Sequence, residues 1–153
     1  MEIFTNSPSR TKKLGEILAK EILFSPLRKK AFVLGLKGDL GGGKTTFLQG
    51  FAKGLGIKDK ILSPTFILMR KFKIENCKLK IENFYHIDCY RIEKPKEILK
   101  LGFKKIVSNP KSIVAIEWAD RIQKILPKEA IILKFCFVGL NKRKIVIKLK
   151  DEQ

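Results

Sequence analysis

The chain has 153 residues, and lysine and arginine outnumber the acidic residues so far that its formal net charge is +18. A chain of this length is expected to form one domain, residues 1–153, with a core that needs no disulfides. Its three cysteines have no C-x-x-C spacing and indicate reduced thiols in a cytoplasmic protein. No apolar run is long enough to span a membrane, and no N-terminal segment is typical of a secretory signal.

The positive charge has two explanations. It would suit a nucleic-acid partner or an acidic protein partner. However, lysine is spread along the whole chain and far outnumbers arginine, as expected of a protein from an A/T-rich genome. Charge alone therefore selects no partner. Binding to a membrane surface is not indicated, because no long segment has a basic face opposite an apolar one.

The first part of the chain predicts alternating strands and helices. A short strand and a turn over residues 1–8 precede a helix over 11–24, where apolar residues recur at helical spacing. The apolar run at 31–37 indicates a buried strand. Residues 45–55 indicate a helix, which ends where glycines follow.

Residues 38–45, Gly-Asp-Leu-Gly-Gly-Gly-Lys-Thr, join that strand to that helix and match the Walker A pattern G-x-x-x-x-G-K-[ST]. Glycines let backbone N–H groups face a phosphate, and the start of a helix adds a positive end. We expect Lys44 to contact the β- and γ-phosphates of a nucleotide and the Thr45 hydroxyl to bind Mg²⁺. The alternative is a glycine-rich turn without a ligand. The strand before the motif and the helix after it favour the nucleotide loop.

The rest of the chain predicts an α/β domain around a mixed, mainly parallel sheet flanked by helices, with an antiparallel patch of strands. The predicted elements are two antiparallel strands (66–74 and 78–88), a short helix (95–101), a strand (112–117), one or two helical turns (119–126) and two strands (130–138 and 143–149).

Polar residues at the ends of these strands are candidates for chemistry. Glu117 ends a buried strand, where P-loop proteins need an acid near Mg²⁺; the alternative is an ordinary charged residue at a strand end. Asp88 could reach the metal or the attacking water, or it could be structural. His86 is better explained as a hydrogen-bonded core residue. Thr65 follows Ser-Pro in a segment that could be a switch-like loop, although a simple turn explains it as well.

The nucleotide is expected to be ATP rather than GTP. Residues 141–144, Asn-Lys-Arg-Lys, begin like the guanine-binding N-K-x-D but lack its aspartate. There is also no D-x-x-G after a strand. No arginine-rich lid of the kind found in small-molecule kinases is evident.

Four blocks in this order and spacing resemble the TsaE (YjeE) family of bacterial P-loop ATPases: Gly-Asp-Leu-Gly-Gly-Gly-Lys-Thr-Thr at 38–46, Ser-Pro-Thr-Phe at 63–66, His-Ile-Asp-Cys-Tyr-Arg at 86–91 and Ile-Glu-Trp at 116–118. The resemblance implies an α/β P-loop fold that binds ATP and Mg²⁺. It implies metal binding by Thr45, Glu117 and Asp88, and it places Thr11 on the adenine side. It implies catalytic roles for Asp88, Glu117, Lys44 and Thr65. The residues it implies for phosphate binding are Gly41, Gly42, Gly43, Lys44, Thr45 and Thr46.

The resemblance also implies a function. Family members support the threonylcarbamoyladenosine modification of tRNA together with the proteins TsaD and TsaB, and their Mg²⁺-dependent ATPase is weak without these partners. We expect an isolated monomer, and a contact with tRNA through the complex stays open. The other hypotheses are a nucleotide-gated binding module, a small-molecule kinase and direct RNA binding through the lysines. The chain departs from the family pattern at Gly42, where alanine is usual, and at Phe66, where tyrosine is frequent.

Overall fold

The computed structural model describes residues 1–39, 41, 43–62, 67–75 and 80–151. Within them, seven strands form one mixed sheet with helices on both faces, as the sequence predicts. The strands are β1 (Glu2–Thr5), β2 (Phe32–Gly38), β3 (Met69–Lys73), β4 (Asn83–Asp88), β5 (Ser112–Glu117), β6 (Ile131–Gly139) and β7 (Lys142–Leu149). The helices are α1 (Pro8–Phe24), α2 (Lys44–Gly54), α3 (Lys96–Leu99), α4 (Phe103–Val107) and a 3-10 helix (Ala119–Ile125).

The sheet has the strand order β1-β7-β6-β2-β5-β4-β3. Its four central strands, β6, β2, β5 and β4, are parallel, whereas β3 pairs with β4, and β7 with β6 and β1, in antiparallel fashion. Because parallel strands share an orientation, the carboxyl ends of β2, β4 and β5 lie together at one edge of the sheet. Ligands of α/β sheets bind at this edge.

Several element boundaries differ from the prediction for local reasons. Helix α1 begins at Pro8 instead of residue 11, because the Ser7 side chain caps it by accepting a hydrogen bond from the backbone N–H of Arg10 at 3.2 Å. Strands β3 and β4 are shorter than expected. Helix α4 was not predicted; it begins after Gly102, whose φ of 82° suits glycine. None of the helices in the described ranges is long and apolar enough to cross a membrane.

Two apolar cores lie on opposite faces of the sheet. On one face, α1 and α2 cover a core in which the rings of Phe47 and Phe135 are 5.6 Å apart and those of Phe51 and Phe84 are 5.7 Å apart. On the other face, α3, α4 and the 3-10 helix cover a core around β4 and β5. Strand β5 is buried along its whole length because both layers cover it.

The cysteines inside the described residues, Cys89 and Cys136, are free thiols, whereas Cys77 lies outside that part of the chain. Burial raises the pKa of Cys89 to about 12, and the nearby Asp88 carboxylate acts in the same direction. The thiolate form of Cys89 is therefore suppressed at neutral pH, which agrees with a structural thiol.

Helices α1 and α2 pack so closely that their contact depends on glycine. A Cβ atom added at Gly15 would overlap the carbonyl oxygen of Phe47, and one added at Gly50 would overlap the carbonyl oxygen of Lys12. The close approach also brings the first turn of α1 next to the loop that precedes α2. The Cγ2 atom of Thr11 lies 3.7 Å from the position that a Cβ of Gly43 would occupy.

The helix contact predicts a large effect of one added methyl group. Gly50→Ala should lower the free energy of unfolding by about 1–3 kcal/mol, because the backbone of Lys12 blocks the new Cβ atom. Urea denaturation measures the loss. Gly139→Ala is the matched control, since its nearest neighbour would be a lysine methylene at 3.9 Å. Equal stability of the two variants would contradict the close helix contact.

Candidate nucleotide-binding site

The described glycines at the junction of β2 and α2 have backbone angles typical of a phosphate-binding loop. Gly38, Gly41 and Gly43 all have positive φ values, of 130°, 76° and 98°. Residues other than glycine rarely adopt these backbone angles. Helix α2 then begins at Lys44, and no side chain of the described residues caps it. The N–H groups of its first turn therefore face the loop, as anion binding at a helix start requires.

Lys44 is buried at the base of this loop. Its Nζ atom donates hydrogen bonds to the carbonyl oxygens of Gly38 at 2.5 Å and Asp39 at 2.9 Å, and it lies 4.4 Å from the centre of the Trp118 ring. Burial lowers the pKa of Lys44, an effect that the carboxylates of Glu117 and Asp39 oppose. The ammonium group is therefore held against the loop by carbonyl dipoles and an aromatic face.

Glu117 connects the loop helix to the sheet. The Thr45 hydroxyl donates to Glu117 Oε1 at 3.0 Å, and His86 Nε2 lies 2.8 Å from Glu117 Oε2. Since a carboxylate can only accept, Nε2 carries the proton in this bond. The Glu117 side chain is only 3% exposed and that of His86 is fully buried. Both carboxylate oxygens therefore have protein donors in a water-poor position.

Asp88 lies beside Glu117 because β4 and β5 are parallel and in register at these two residues. Its Oδ1 atom accepts a hydrogen bond from the backbone N–H of Tyr90 at 2.9 Å, and its own N–H donates to the carbonyl of Leu68 at 3.0 Å. Asp88 is buried and makes further interactions. It therefore shapes the turn after β4 and, from the neighbouring strand, adds a second carboxylate at this edge of the sheet.

The remaining predicted residues lie at different distances from this centre. Thr11 is buried next to Gly43, with its hydroxyl 2.7 Å from that of Thr5. Thr46 is half-buried in the first turn of α2. Gly42 and Thr65 lie outside the described residues, so their predicted roles stay predictions.

Arg143 is a residue of the loop region that the sequence analysis did not identify. From the start of β7, its Nη2 atom donates to the carbonyl oxygen of Gly41 at 2.8 Å. Its Nη1 atom donates to the carbonyls of Lys142 at 2.8 Å and Gly139 at 3.3 Å. Its buried Nε has no hydrogen-bond partner in the part of the chain that the structure describes. The guanidinium therefore braces the loop from the β6–β7 hairpin.

The oxygens at this edge fit Mg²⁺. Thr45 and Glu117 offer a hydroxyl and a carboxylate 3.0 Å apart, with Asp88 on the adjacent strand. Hard oxygen ligands are those that Mg²⁺ prefers. No group of three or more His, Cys, Asp and Glu side chains in the described ranges forms a metal cage.

Comparison with known proteins places this geometry in a family. The model of the family described as "Threonylcarbamoyl adenosine biosynthesis protein TsaE" matches residues 5–145. The chain belongs to the TsaE family. The matched range includes the loop, Asp88, Glu117 and Arg143. A role in tRNA threonylcarbamoyladenosine biosynthesis follows at the level of the family.

Individual relatives and a solved structure agree with this assignment. The chain is 35% identical over 141 residues to the Bacillus subtilis "tRNA threonylcarbamoyladenosine biosynthesis protein TsaE", which covers 92% of this chain and 80% of that protein. Its identity to the protein of the same name from Haemophilus influenzae is 36% over 113 residues, 74% of this chain and 68% of that protein. The crystal structure of Bacillus subtilis YdiB is similar with a TM-score of 0.74 and 30% identity, over 97% of this chain and 84% of that one.

The buried bond between His86 and Glu117 predicts a loss of stability when the donor is removed. His86→Leu should lower the free energy of unfolding by roughly 1–3 kcal/mol, because the Glu117 carboxylate would lose a donor in a buried position. His86→Gln, which retains an N–H donor, should lose less. Denaturant unfolding of both variants measures the difference. A His86→Leu protein as stable as the wild type would show that the bond contributes nothing.

Proposed function

We propose that this protein is a Mg²⁺-dependent ATPase subunit that supports the threonylcarbamoyladenosine modification of tRNA in the cytoplasm, together with TsaD-type and TsaB-type proteins. The observation that carries the proposal is the hydrogen bond from Thr45 to Glu117, directly after the glycine loop. It joins the hydroxyl of the Walker A motif to an acid from the neighbouring parallel strand. P-loop ATPases hold their metal between such groups.

The chain's own residues supply binding and orientation in this proposal. The N–H groups of the loop and of the first turn of α2 bind the phosphates, and the Lys44 ammonium offsets their charge. Thr45 and Glu117 would hold Mg²⁺, and the ion would supply positive charge that offsets the charge of the phosphates. Asp88 orients the attacking water beside Glu117. Thr11, which lies beside Gly43, would be on the adenine side of the bound nucleotide in this proposal.

The hydrogen bonds of Lys44 give a physical reason why the isolated protein should hydrolyse ATP slowly. The lysine has to exchange the carbonyls of Gly38 and Asp39 for phosphate oxygens before it can stabilise transferred charge. This exchange adds a rearrangement to each turnover. A partner that favours the rearranged loop would accelerate hydrolysis, in keeping with a subunit that acts inside a complex.

The same exchange favours a second candidate function, a nucleotide-gated binding module. In this alternative, ATP sets the conformation of the loop and hydrolysis is incidental. The two functions differ in one variant: Glu117→Gln should bind nucleotide but hydrolyse it poorly. Assembly with the TsaD–TsaB pair and full tRNA modification by this variant would favour the gated module, whereas loss of repeated modification would favour the ATPase.

The proposed function predicts the effects of two substitutions. Lys44→Ala and Glu117→Ala should each lower Mg²⁺-dependent ATP hydrolysis by roughly 100-fold or more, because the first removes a cation that stabilises phosphate charge and the second removes a carboxylate that would hold Mg²⁺. Phosphate release, measured with and without the purified TsaD–TsaB pair, is the readout. Calorimetry should show weaker binding of ATP with Mg²⁺.

Lys53→Ala is the control for this experiment, since Lys53 lies in the same helix but is exposed. It removes the same charge and should hydrolyse ATP like the wild type. Circular dichroism verifies that each variant is folded. Wild-type rates in both the Lys44 and the Glu117 variants would overturn the catalytic assignment.

A further inference from the structure

The hairpin between β6 and β7 has an apolar tip that the fold does not use. Phe137 is 62% exposed, Val138 is 54% exposed and Leu140 is 86% exposed. Tight hairpin turns are ordinarily made of polar residues and glycine. Here large apolar side chains lie on both sides of Gly139, next to a register shift in the β6–β7 pairing. Exposed apolar side chains that cluster in this way mark sites of interaction with other proteins.

The tip is joined directly to the phosphate loop. The Arg143 guanidinium lies 4.8 Å from the centre of the Phe137 ring. The same group donates to the carbonyls of Gly139 and Lys142 in the hairpin and to the carbonyl of Gly41 in the loop. A displacement of the tip therefore moves a side chain that is hydrogen-bonded to the nucleotide loop.

The surroundings of the tip indicate the chemistry of its partner. Residues 137–144 contain Lys142, Arg143 and Lys144 but no acidic residue. Lys144 forms an ion pair with Glu2 at 3.0 Å, and Lys142 is exposed. Carboxylates around an apolar pocket would complement this arrangement. The Phe137 ring already lies against the Arg143 guanidinium, and valine and leucine provide no flat aromatic face on which bases stack, so a protein suits the tip better than RNA.

We propose that the hairpin tip, residues 137–140, is a docking surface for a protein that presents an apolar pocket bordered by carboxylates, and that Arg143 couples docking to the phosphate loop. The coupling part rests on the proposed function, because it requires that the loop binds a nucleotide. Coupling is reciprocal by thermodynamic linkage: if docking changes the affinity for nucleotide, nucleotide changes the affinity for the partner by the same factor.

The docking surface is tested by a double substitution at the tip. Val138→Ser with Leu140→Ser removes apolar surface without touching the loop, and Phe24→Ser with Leu101→Ser is the control, at exposed apolar residues elsewhere. Calorimetry measures the affinity of each protein for the purified TsaD–TsaB pair without nucleotide. We expect the tip variant to bind roughly tenfold more weakly or worse, since apolar anchors dominate interfaces, and the control to bind within about twofold of the wild type.

Two results would overturn the docking surface: an unchanged affinity of the tip variant, or an equal loss in the control. Absence of binding by the wild type would overturn it as well, together with the proposed partnership. The ATPase assignment would survive that result, because ATP binding and hydrolysis by the isolated chain test it separately.

The coupling is tested with Arg143→Gln. For the wild type, a non-hydrolysable ATP analogue with Mg²⁺ should change the affinity for the pair by roughly fivefold or more. In Arg143→Gln this factor should fall to one while the pair still binds. An unchanged factor would overturn the role of Arg143. If the wild type binds no nucleotide, the proposed function and the coupling both fail, whereas the nucleotide-free comparison still decides the docking surface.

Discussion

Glu117 has to accept hydrogen bonds on both of its oxygens, because its carboxylate is almost fully buried at the end of β5. An ionised group in such a position is costly unless donors compensate for the lost water. Thr45 and His86 are those donors, and they come from α2 and β4. The hydrogen-bonding requirement of one carboxylate therefore links α2 and β4 to the end of β5. The same hydrogen bonds place the Thr45 hydroxyl of the Walker A motif next to Glu117 at the end of β5.

Close packing supplies the rest of the arrangement from outside the sheet. The glycines of α1 and α2 let the two helices approach until Thr11 lies beside Gly43 in the loop. On the adjacent side, Arg143 reaches the Gly41 carbonyl from the hairpin. The loop is thus held by a helix, a hairpin and a strand that are far apart in sequence. Its glycines allow backbone angles that other residues rarely adopt, and these neighbours limit the freedom that the glycines introduce.

The sequence predicted the element types well and the geometry of the site less well. Strand β5 and the loop were predictable because a buried strand reads as an apolar run and the loop needs glycine at set positions. Helix α4 was missed because it has only five residues, too few to show a helical repeat of apolar positions. Arg143 was missed because its partner is a backbone carbonyl, which any residue carries. The pairing of β1 with β7 joins the two ends of the chain, a contact that leaves no local pattern.

The high positive charge and the apolar tip act over different distances. Net charge attracts an acidic partner from afar and raises the rate of encounter, but salt screens it beyond about 10 Å. A lysine-rich composition that is spread over the chain cannot choose which surface docks. Large apolar side chains act only on contact, where they exclude water and fit one shape. Specific docking next to the phosphate loop therefore depends on the exposed side chains of residues 137–140, whatever the origin of the lysines.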